Sequence, residues 1–321
     1  MNILIVHAHP EPQSFNSALA RRARETLTRQ GHTVTTSFLN EMAFQPVSDR
    51  RNFTTAKDPA YFKQQQEETL ASSANGFAPD LEAELRKLEA CDALLFVFPL
   101  WWFGMPAIMK GWVDRVFAYG RIYGNGKLYE NGLGQARKRG LVITSTGGGP
   151  DAYSGLGFNP PMDAILTPIH HGIFWFNGFL PLDPFIAWSP AHLDEAARHG
   201  VLDALDARLA TLFTESPHQL PRLEDFPNYG KDRQKRFMVT ITRAKPVDEA
   251  YRSLVPAELQ RVGELKKAGI FLSVHLTPSD AAEWRGWVLV RAPDRDAAAA
   301  ALATLPLASY LHFDIDQLAP H

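Results

Sequence analysis

The stretch that most constrains the fold is residues 96–115, FVFPLWWFGMPAIMKGWVDR, because it joins a buried strand to a helix through an aromatic loop. The apolar run 93–98 predicts the strand, and the spacing of later apolar residues predicts a helix over 105–117. The loop between them holds Trp101, Trp102 and Phe103. In an open parallel sheet, ligands bind at loops that follow the carboxyl ends of strands. Because this loop is flat, apolar and uncharged, we expect a planar aromatic ligand rather than a phosphate or a metal ion.

Short apolar runs alternate with amphipathic segments along the first two thirds of the chain. Strands are predicted at 2–6, 32–38, 93–98, 139–145 and within 176–186, and helices at 15–30, 79–90, 105–117, 161–174 and 193–214. Residues 40–78 show no clear period, so we expect loops and short helices there. Runs that are apolar throughout are typical of strands buried on both faces of a parallel sheet. The order predicts an α/β fold, a doubly wound parallel five-stranded sheet with strand order 2-1-3-4-5.

That strand order places three unusual loops side by side, at 9–16 (HPEPQSFN), 99–106 (PLWWFGMP) and 146–153 (TGGGPDAY). Ser14 and Asn16 stand at a predicted helix N-terminus, where backbone N–H groups favour an anion such as a diphosphate. The glycines after Thr146 expose backbone amides to close approach by a ligand edge. Singly, the loops also fit a helix cap, a core segment and a flexible turn. Together they predict a flavin nucleotide site.

Composition argues against several classes of function. The formal net charge of −2 gives no electrostatic case for binding nucleic acid or anionic membranes. The chain has no apolar run of about eighteen residues and no signal-peptide pattern, so we expect a cytoplasmic protein without a membrane span. Cys91 is the single cysteine, which rules out an internal disulfide. His7 and His9 have no third ligand at metal-site spacing, and we expect no metal.

The last third of the chain predicts a separate small domain after a first domain over 1–215. Residues 216–236 combine proline, glycine and mixed charge, which is typical of a linker. Beyond it, strands are predicted at 237–242, 270–276, 284–290 and 310–315, and helices at 248–268 and 294–305. This βαββαβ order predicts a ferredoxin-like α+β domain over 237–321.

Residues 1–215 resemble the NAD(P)H:quinone oxidoreductase family of the DT-diaphorase type, which has a flavodoxin-like fold. The matching motifs are His9-Pro10-x-Pro-x-Ser14-Phe15-Asn16, PLWWFGMPAIMKGWVDRVF at 99–117, and Thr146-Gly147-Gly148 with Tyr153. The resemblance implies an enzyme that passes a hydride from NAD(P)H to bound FAD and then to a quinone, with ping-pong kinetics. It also implies a homodimer or higher oligomer with each site at a subunit interface.

The resemblance assigns roles to individual residues. FAD is expected to be held by His9, Ser14, Phe15 and Asn16 at the diphosphate, by Pro99, Leu100, Trp101, Trp102, Phe103, Thr146, Gly147 and Gly148 at the isoalloxazine, and by Arg198 at the adenosine. The pocket for nicotinamide and quinone is expected to be lined by Trp102, Phe103, Tyr123 and Tyr153. Tyr153 is also expected to act catalytically at the pyrimidine edge, where charge develops on reduction. Asn159 replaces a histidine of vertebrate-like members, so it is expected to donate a hydrogen bond without holding a proton charge.

Residues 237–321 resemble the muconolactone isomerase family in their βαββαβ order, the RGWVLVRAPD junction and the ending LPLASYLHFDIDQLAPH. The resemblance implies either an oligomerisation or ligand-shielding module, or an isomerase. The polar candidates for an isomerase are Glu258, His275, Arg285 and His312.

Three alternatives to FAD-dependent quinone reduction stay open from the sequence. They are an FMN-dependent reductase of azo or nitro compounds, a bifunctional reductase–isomerase of aromatic degradation, and a non-enzymatic flavin electron carrier. The carrier is disfavoured, because HPEPQSFN is not the hydroxyl-rich phosphate loop typical of carriers and an open aromatic pocket favours substrates.

Overall fold

The computed structural model describes residues 1–226, 229 and 235–318. The chain forms two compact units that divide between Asp225 and Phe226. Within the described residues, no helix is both long enough and apolar enough to cross a membrane.

The first unit is a parallel sheet with helices on both faces. Its strands are β1 (Asn2–His7), β2 (Thr33–Phe38), β3 (Ala93–Pro99), β4 (Arg139–Ser145), β5 (Leu180–Pro181) and β6 (Phe185–Ala187). Its α-helices are α1 (Phe15–Arg29), α2 (Gln64–Ala74), α3 (Pro79–Ala90), α4 (Ala107–Val116), α5 (Met162–Ile169) and α6 (Glu195–Ala210). The strands run in the order β2-β1-β3-β4-β5, and β6 also pairs with β4. The predicted doubly wound parallel sheet is confirmed.

The central strands are apolar along their whole length because both of their faces are covered. Alternate residues of β1 enter opposite cores: Ile3 and Ile5 pack with α1 and α6, whereas Leu4 and Val6 pack with the helices on the other face. All seven residues of β3 are buried. Burial of this apolar surface stabilises the sheet and fixes the three carboxyl-end loops on a rigid base.

The fifth strand differs from its prediction over 176–186. The predicted helix at 161–174 continues past α5 as one π-helical turn over His170–Phe174, and a 3-10 turn over Trp175–Asn177 follows it. The strand is split, since β5 pairs with the start of β4 and β6 pairs with its end. Two pieces of two and three residues are too short to leave a clear period in the sequence.

The second unit is a four-stranded antiparallel sheet with two helices. Its elements are β7 (Lys235–Arg243), α7 (Glu249–Lys267), β8 (Phe271–Leu276), β9 (Arg285–Ala292), α8 (Arg295–Ala303) and β10 (Leu311–Gln317). The strand order is β10-β7-β9-β8, and the predicted βαββαβ arrangement is confirmed. Of the ending LPLASYLHFDIDQLAPH, residues 319–321 lie outside the described residues. The resemblance of this unit to muconolactone isomerases stays a prediction.

The first ten residues of the expected linker pack on the first unit. The indole Nε1 of Trp175 donates to the carbonyl of Pro221 at 3.0 Å, and the amide of His218 donates to the carbonyl of Pro181 at 2.9 Å. The division between the compact units at Asp225 and Phe226 falls within the expected linker, and the expected domain bounds stay a prediction. Residues 227, 228 and 230–234 of the expected linker lie outside the described residues.

Candidate active site

The three unusual loops meet at the carboxyl edge of the sheet, as the strand order predicts. The ring centroids of His9 and Trp101 lie 5.9 Å apart, which joins the first loop to the second. Those of Phe103 and Tyr153 lie 6.5 Å apart, which joins the second loop to the third. The amide of Leu100 also donates to the carbonyl of Ser145, the last residue of β4, at 2.9 Å. One site with three walls follows from these contacts.

The first loop presents the N-terminus of α1. Ser14 is the N-cap, and its Oγ accepts a hydrogen bond from the amide of Ser17 at 3.1 Å. Because the cap occupies its hydroxyl, Ser14 orders the helix end, and its expected part in holding a diphosphate stays a prediction. The amides of Phe15 and Asn16 have no acceptor within the described residues. These two N–H groups, aided by the helix dipole, can bind an anion.

Asn16 is buried beneath the site. Its Nδ2 lies 3.4 Å from the Oγ of Ser145, so it links the first loop to the start of the third. Its Oδ1 is buried and makes no hydrogen bond within the described residues. Such a group is costly unless something satisfies it. Asn16 can thus both hold the loops together and contact a ligand.

The two histidines of the first loop have different surroundings. His7 is buried against Phe38, and burial, followed by the charge of His9, lowers its pKa from 6.5 to about 4. It is therefore neutral near pH 7. The Nδ1 of His9 accepts from the amide of Glu11 at 3.0 Å, so its ring stays at the rim beside Trp101. Within the described residues, no group of three or more histidine, cysteine or acidic side chains is placed to hold a metal.

The second loop is a tight turn closed by hydrogen bonds in both directions between Trp101 and Gly104. Its two central residues, Trp102 and Phe103, have left-handed backbone conformations with φ of 51° and 58°. This conformation costs about 1–2 kcal/mol for a residue with a side chain. Trp102 is 98% exposed, so packing in this chain does not offset that cost. The amides of both residues also lack acceptors within the described residues. Strain of this kind clusters at ligand sites.

The third loop offers backbone amides from a run of glycines. Thr146 is buried, and its Oγ1 donates to the carbonyl of Gly148 at 2.8 Å. The amides of Gly147, Gly148 and Gly149 have no acceptor within the described residues. A Cβ at Gly148 would lie 3.2 Å from the ring of Tyr153, whereas a Cβ at Gly147 would meet open space. The loop is therefore closely packed on Tyr153 and open towards the site.

Sequence reasoning missed a fourth segment that touches the site. Trp188 packs on Tyr153 with ring centroids 5.7 Å apart, and the Oγ of Ser189 donates to the carbonyl of Gly147 at 3.2 Å. The only signal in the sequence was an aromatic followed by Ser-Pro at the end of the fifth strand. Ser189 also has a positive φ of 45°, which the residue type does not predict.

Of the three remaining expected site residues, Asn159 and Arg198 lie beside the loops in the single chain, whereas Tyr123 lies away from them. Tyr123 lines a different cavity of about 360 Å³ with Phe176. Asn159 is half-buried, and its amide donates to the carbonyl of Ala152 at 3.1 Å. Arg198 is exposed on α6, with its Nε donating to the carbonyl of Pro190 at 3.0 Å. The structure therefore places Arg198 beside the segment of Trp188, but does not bring Tyr123 to the other pocket residues.

The polar candidates of the second unit do not form an acid–base pair among its described residues. His275 and His312 lie on β8 and β10, which are the two opposite edges of the sheet. Glu258 is on α7, where burial raises the pKa of its carboxyl group. Its Oε2 accepts from the amide of Leu307 at 2.9 Å, which is a structural role.

The residues at the carboxyl edge fit a flavin. Unpartnered amides on two loops suit the carbonyl oxygens and ring nitrogens at the edge of an isoalloxazine, and the exposed face of Trp102 suits a flat ring. The free N–H groups at the start of α1 suit a phosphate. These are backbone donors on rigid elements, so a ligand is bound without reorganisation of the sheet.

Comparison with known proteins gives a consistent result for the first unit. A family model for the flavodoxin-like fold matches residues 1–209. NAD(P)H dehydrogenase (quinone) 1 of Rattus norvegicus is 42% identical over 215 residues, which are 67% of this chain and 78% of that protein. Ribosyldihydronicotinamide dehydrogenase (quinone) of Homo sapiens is 38% identical over 216 residues, which are 67% of this chain and 93% of that protein.

A solved structure agrees with these relatives. A Klebsiella pneumoniae protein described as a quinone reductase has a TM-score of 0.67 and 36% identity, covering 69% of this chain and 88% of its own. The family model covers more than half of the chain, and the relatives are well above 30% identity. Through its first unit, the chain belongs to the flavodoxin-like family that includes the NAD(P)H:quinone oxidoreductases.

Proposed function

We propose that the first unit is a flavin-dependent reductase that transfers a hydride from NAD(P)H, through bound FAD, to a quinone. The observation that carries this proposal is the set of unpartnered amides on the second and third loops around the exposed ring of Trp102. Two quinone dehydrogenases about 40% identical to the first unit support the same reaction class. No helix of the described residues can span a membrane, and we propose that the protein works in the cytoplasm.

The bound flavin would supply the reversible hydride acceptor and donor, and the chain supplies positioning and electrostatics. The amides of Trp102, Phe103 and the glycine loop would hold the edge of the ring through hydrogen bonds that they donate. Donors held in place before the reaction stabilise negative charge that develops there. Tyr153 packs between Phe103 and Trp188, and its hydroxyl would donate a hydrogen bond near the pyrimidine edge of the ring. Asn159 is the nearest amide side chain in the sequence after Tyr153, and we propose that it donates a hydrogen bond to substrate.

The cofactor assignment to FAD rests on the far end of the site. The N-terminus of α1 suits one end of a diphosphate, and Arg198 on α6 supplies a cation beyond Ser189. A mononucleotide needs only the first of these. We therefore propose FAD, with FMN as the alternative. Chromatography of the flavin that denaturation releases distinguishes the two.

A homodimer would complete the pocket. Leu156 and Phe158, which follow Tyr153, are more than 95% exposed, as is Trp102. Fully exposed large apolar side chains of this kind are typical of surfaces that bind another protein. Tyr123 and Phe176 line a separate cavity of the chain. We propose that a second copy brings this face to the exposed loops, so that Tyr123 lines the pocket of its partner.

Two measurements on the purified chain test the proposal. The flavin released by denaturation is identified by chromatography, and NAD(P)H oxidation is followed with and without a quinone. We expect FAD and a rate that depends on quinone, with parallel double-reciprocal plots because one pocket serves both substrates in turn. Release of FMN alone would contradict the FAD assignment. Oxidation that does not respond to quinone would favour an electron carrier.

A Tyr153→Phe variant tests the site itself against His199→Gln, a change at an exposed histidine of α6. We expect the tyrosine variant to lose about tenfold or more in kcat, since one hydrogen bond to developing charge is worth roughly 1.5–3 kcal/mol. The histidine variant should match the wild type. Equal kcat values in all three proteins would remove Tyr153 from the mechanism.

A further inference from the structure

The last residue of β6 and the two residues after it contact the third loop. The carbonyl of Ala187 accepts from the amide of Thr146 at 3.1 Å. The ring of Trp188 packs on Tyr153, and the Oγ of Ser189 donates to the carbonyl of Gly147 at 3.2 Å. We call Ala187–Ser189 the clamp. None of the predicted roles includes it, although it contacts the first, second and last residues of the loop, Thr146, Gly147 and Tyr153.

The contact of Ser189 fixes the direction of a neighbouring amide. In a trans peptide unit, the carbonyl of one residue and the N–H of the next point in opposite directions within one plane. Because Ser189 holds the carbonyl of Gly147, the N–H of Gly148 must point away from the clamp. This N–H has no acceptor within the described residues.

Thr146 fixes the next peptide unit in the same way. Its Oγ1 donates to the carbonyl of Gly148 at 2.8 Å, which orients the N–H of Gly149. Glycine peptides are otherwise the most free to rotate, so the loop would lose two oriented donors without these hydroxyls. One hydroxyl is within the loop, and the other comes from the clamp.

The conformation of Ser189 shows that the clamp is held under strain. Its φ of 45° and ψ of 47° are left-handed, which is rare for a residue with a side chain. The helix-side neighbour Pro190 accepts a hydrogen bond from the Nε of Arg198 at 3.0 Å, which anchors the segment to α6. Strain that the surroundings maintain is typical of positions that pre-organise a site.

We propose that Ser189 is a positioning residue that pre-orients the amide of Gly148 for the carbonyl edge of the flavin. The inference rests on the proposed flavin site, and it adds a residue that touches neither cofactor nor substrate. Without the hydroxyl, the peptide between Gly147 and Gly148 rotates, and its donor is no longer aligned when the ligand arrives. The cost then appears in flavin binding, since orientation has to be established during binding.

The test compares Ser189→Ala and Ser189→Gly with the wild type. Both variants lack the hydroxyl, but only the glycine variant also relieves the left-handed backbone strain. If the alanine variant folds poorly, the glycine variant still reports the effect of the missing hydroxyl on flavin binding. The matched control is Ser73→Ala on α2, which removes an exposed hydroxyl that donates to the carbonyl of Leu70 at 2.9 Å. Flavin Kd is measured by fluorescence quenching in the flavin-stripped proteins, and thermal unfolding of the same samples reports the fold.

We expect both Ser189 variants to bind flavin about three- to tenfold more weakly, the loss of one oriented hydrogen bond. Their flavin reduction potential should move to more negative values, because one donor to the reduced ring is less well aligned. Ser73→Ala should stay within about twofold of the wild type. Ser189 variants with wild-type Kd and potential would overturn the inference alone. A wild type that binds no flavin would overturn the proposed function with it.

Discussion

The strained turn of the second loop predicts that removing Trp102 leaves the fold as stable as before, or more stable. Its φ of 51° costs about 1–2 kcal/mol, which a glycine does not incur. Glycine loses about 0.5–1 kcal/mol through the entropy of the unfolded chain. Because Trp102 is 98% exposed in the single chain, no area buried within the first unit is lost with the ring. Together, these two effects predict that Trp102→Gly raises the free energy of unfolding of the first unit by about 0 to 1.5 kcal/mol.

The same substitution should weaken the site. Loss of one aromatic face costs about 0.5–1.5 kcal/mol in ring packing, which corresponds to a flavin Kd up to about tenfold higher. Trp102→Ala is the matched control, since it removes the ring but keeps the strain, so it should bind as weakly as the glycine variant and unfold more easily than it. Stability is measured by urea unfolding of flavin-stripped protein at one concentration. A Trp102→Gly variant destabilised by more than about 1 kcal/mol, or one with wild-type flavin affinity, would refute the reasoning.

Two further predictions concern the first unit as a folded body. Burial, followed by the charge of His218, lowers the pKa of His170 from 6.5 to about 4, so between these values the unfolded chain binds a proton that the folded chain does not. The free energy of unfolding therefore falls as the pH drops from about 6.5 to 4, by up to roughly 3 kcal/mol from this group. In urea unfolding at a series of pH values, His170→Leu should make this fall smaller, whereas the control His199→Gln should leave it unchanged. A chain that ends at residue 225 should keep the melting temperature of the first unit, whereas a chain that ends at residue 215 should melt at a lower temperature. The shorter chain lacks the carbonyl of Pro221, and leaving the buried Nε1 of Trp175 without this acceptor costs about 1–3 kcal/mol. Equal melting temperatures would contradict the boundary between the units.

The sheet and the position of the site were predictable because they depend on local signals. Runs such as 93–98 are apolar on both faces, and the strand order that follows from them brings their carboxyl ends together. The contacts across the loops confirm this convergence, from His9 to Trp101 and from Phe103 to Tyr153. The βαββαβ order of predicted strands and helices likewise predicted the ferredoxin-like arrangement of the second unit.

The features that sequence reasoning missed depend on long-range contacts or on unusual backbone. Ser189 lies far along the chain from Gly147, and nothing in either residue type indicates that one holds the other. The π-helical turn over His170–Phe174 moves the start of the fifth strand later along the chain, and neither Pro168 before it nor Gly172 within it indicates a π-helix from the sequence.

The most direct test of the central claim is to separate the two half-reactions in the absence of oxygen. NAD(P)H alone is added to the purified flavin-loaded protein, the flavin absorbance is followed, and a quinone is then added without further nucleotide. We expect one equivalent of nucleotide per site to bleach the flavin absorbance band, and one equivalent of quinone to restore that absorbance. A protein that holds no flavin, or a bleached flavin that quinone does not reoxidise, would contradict the account.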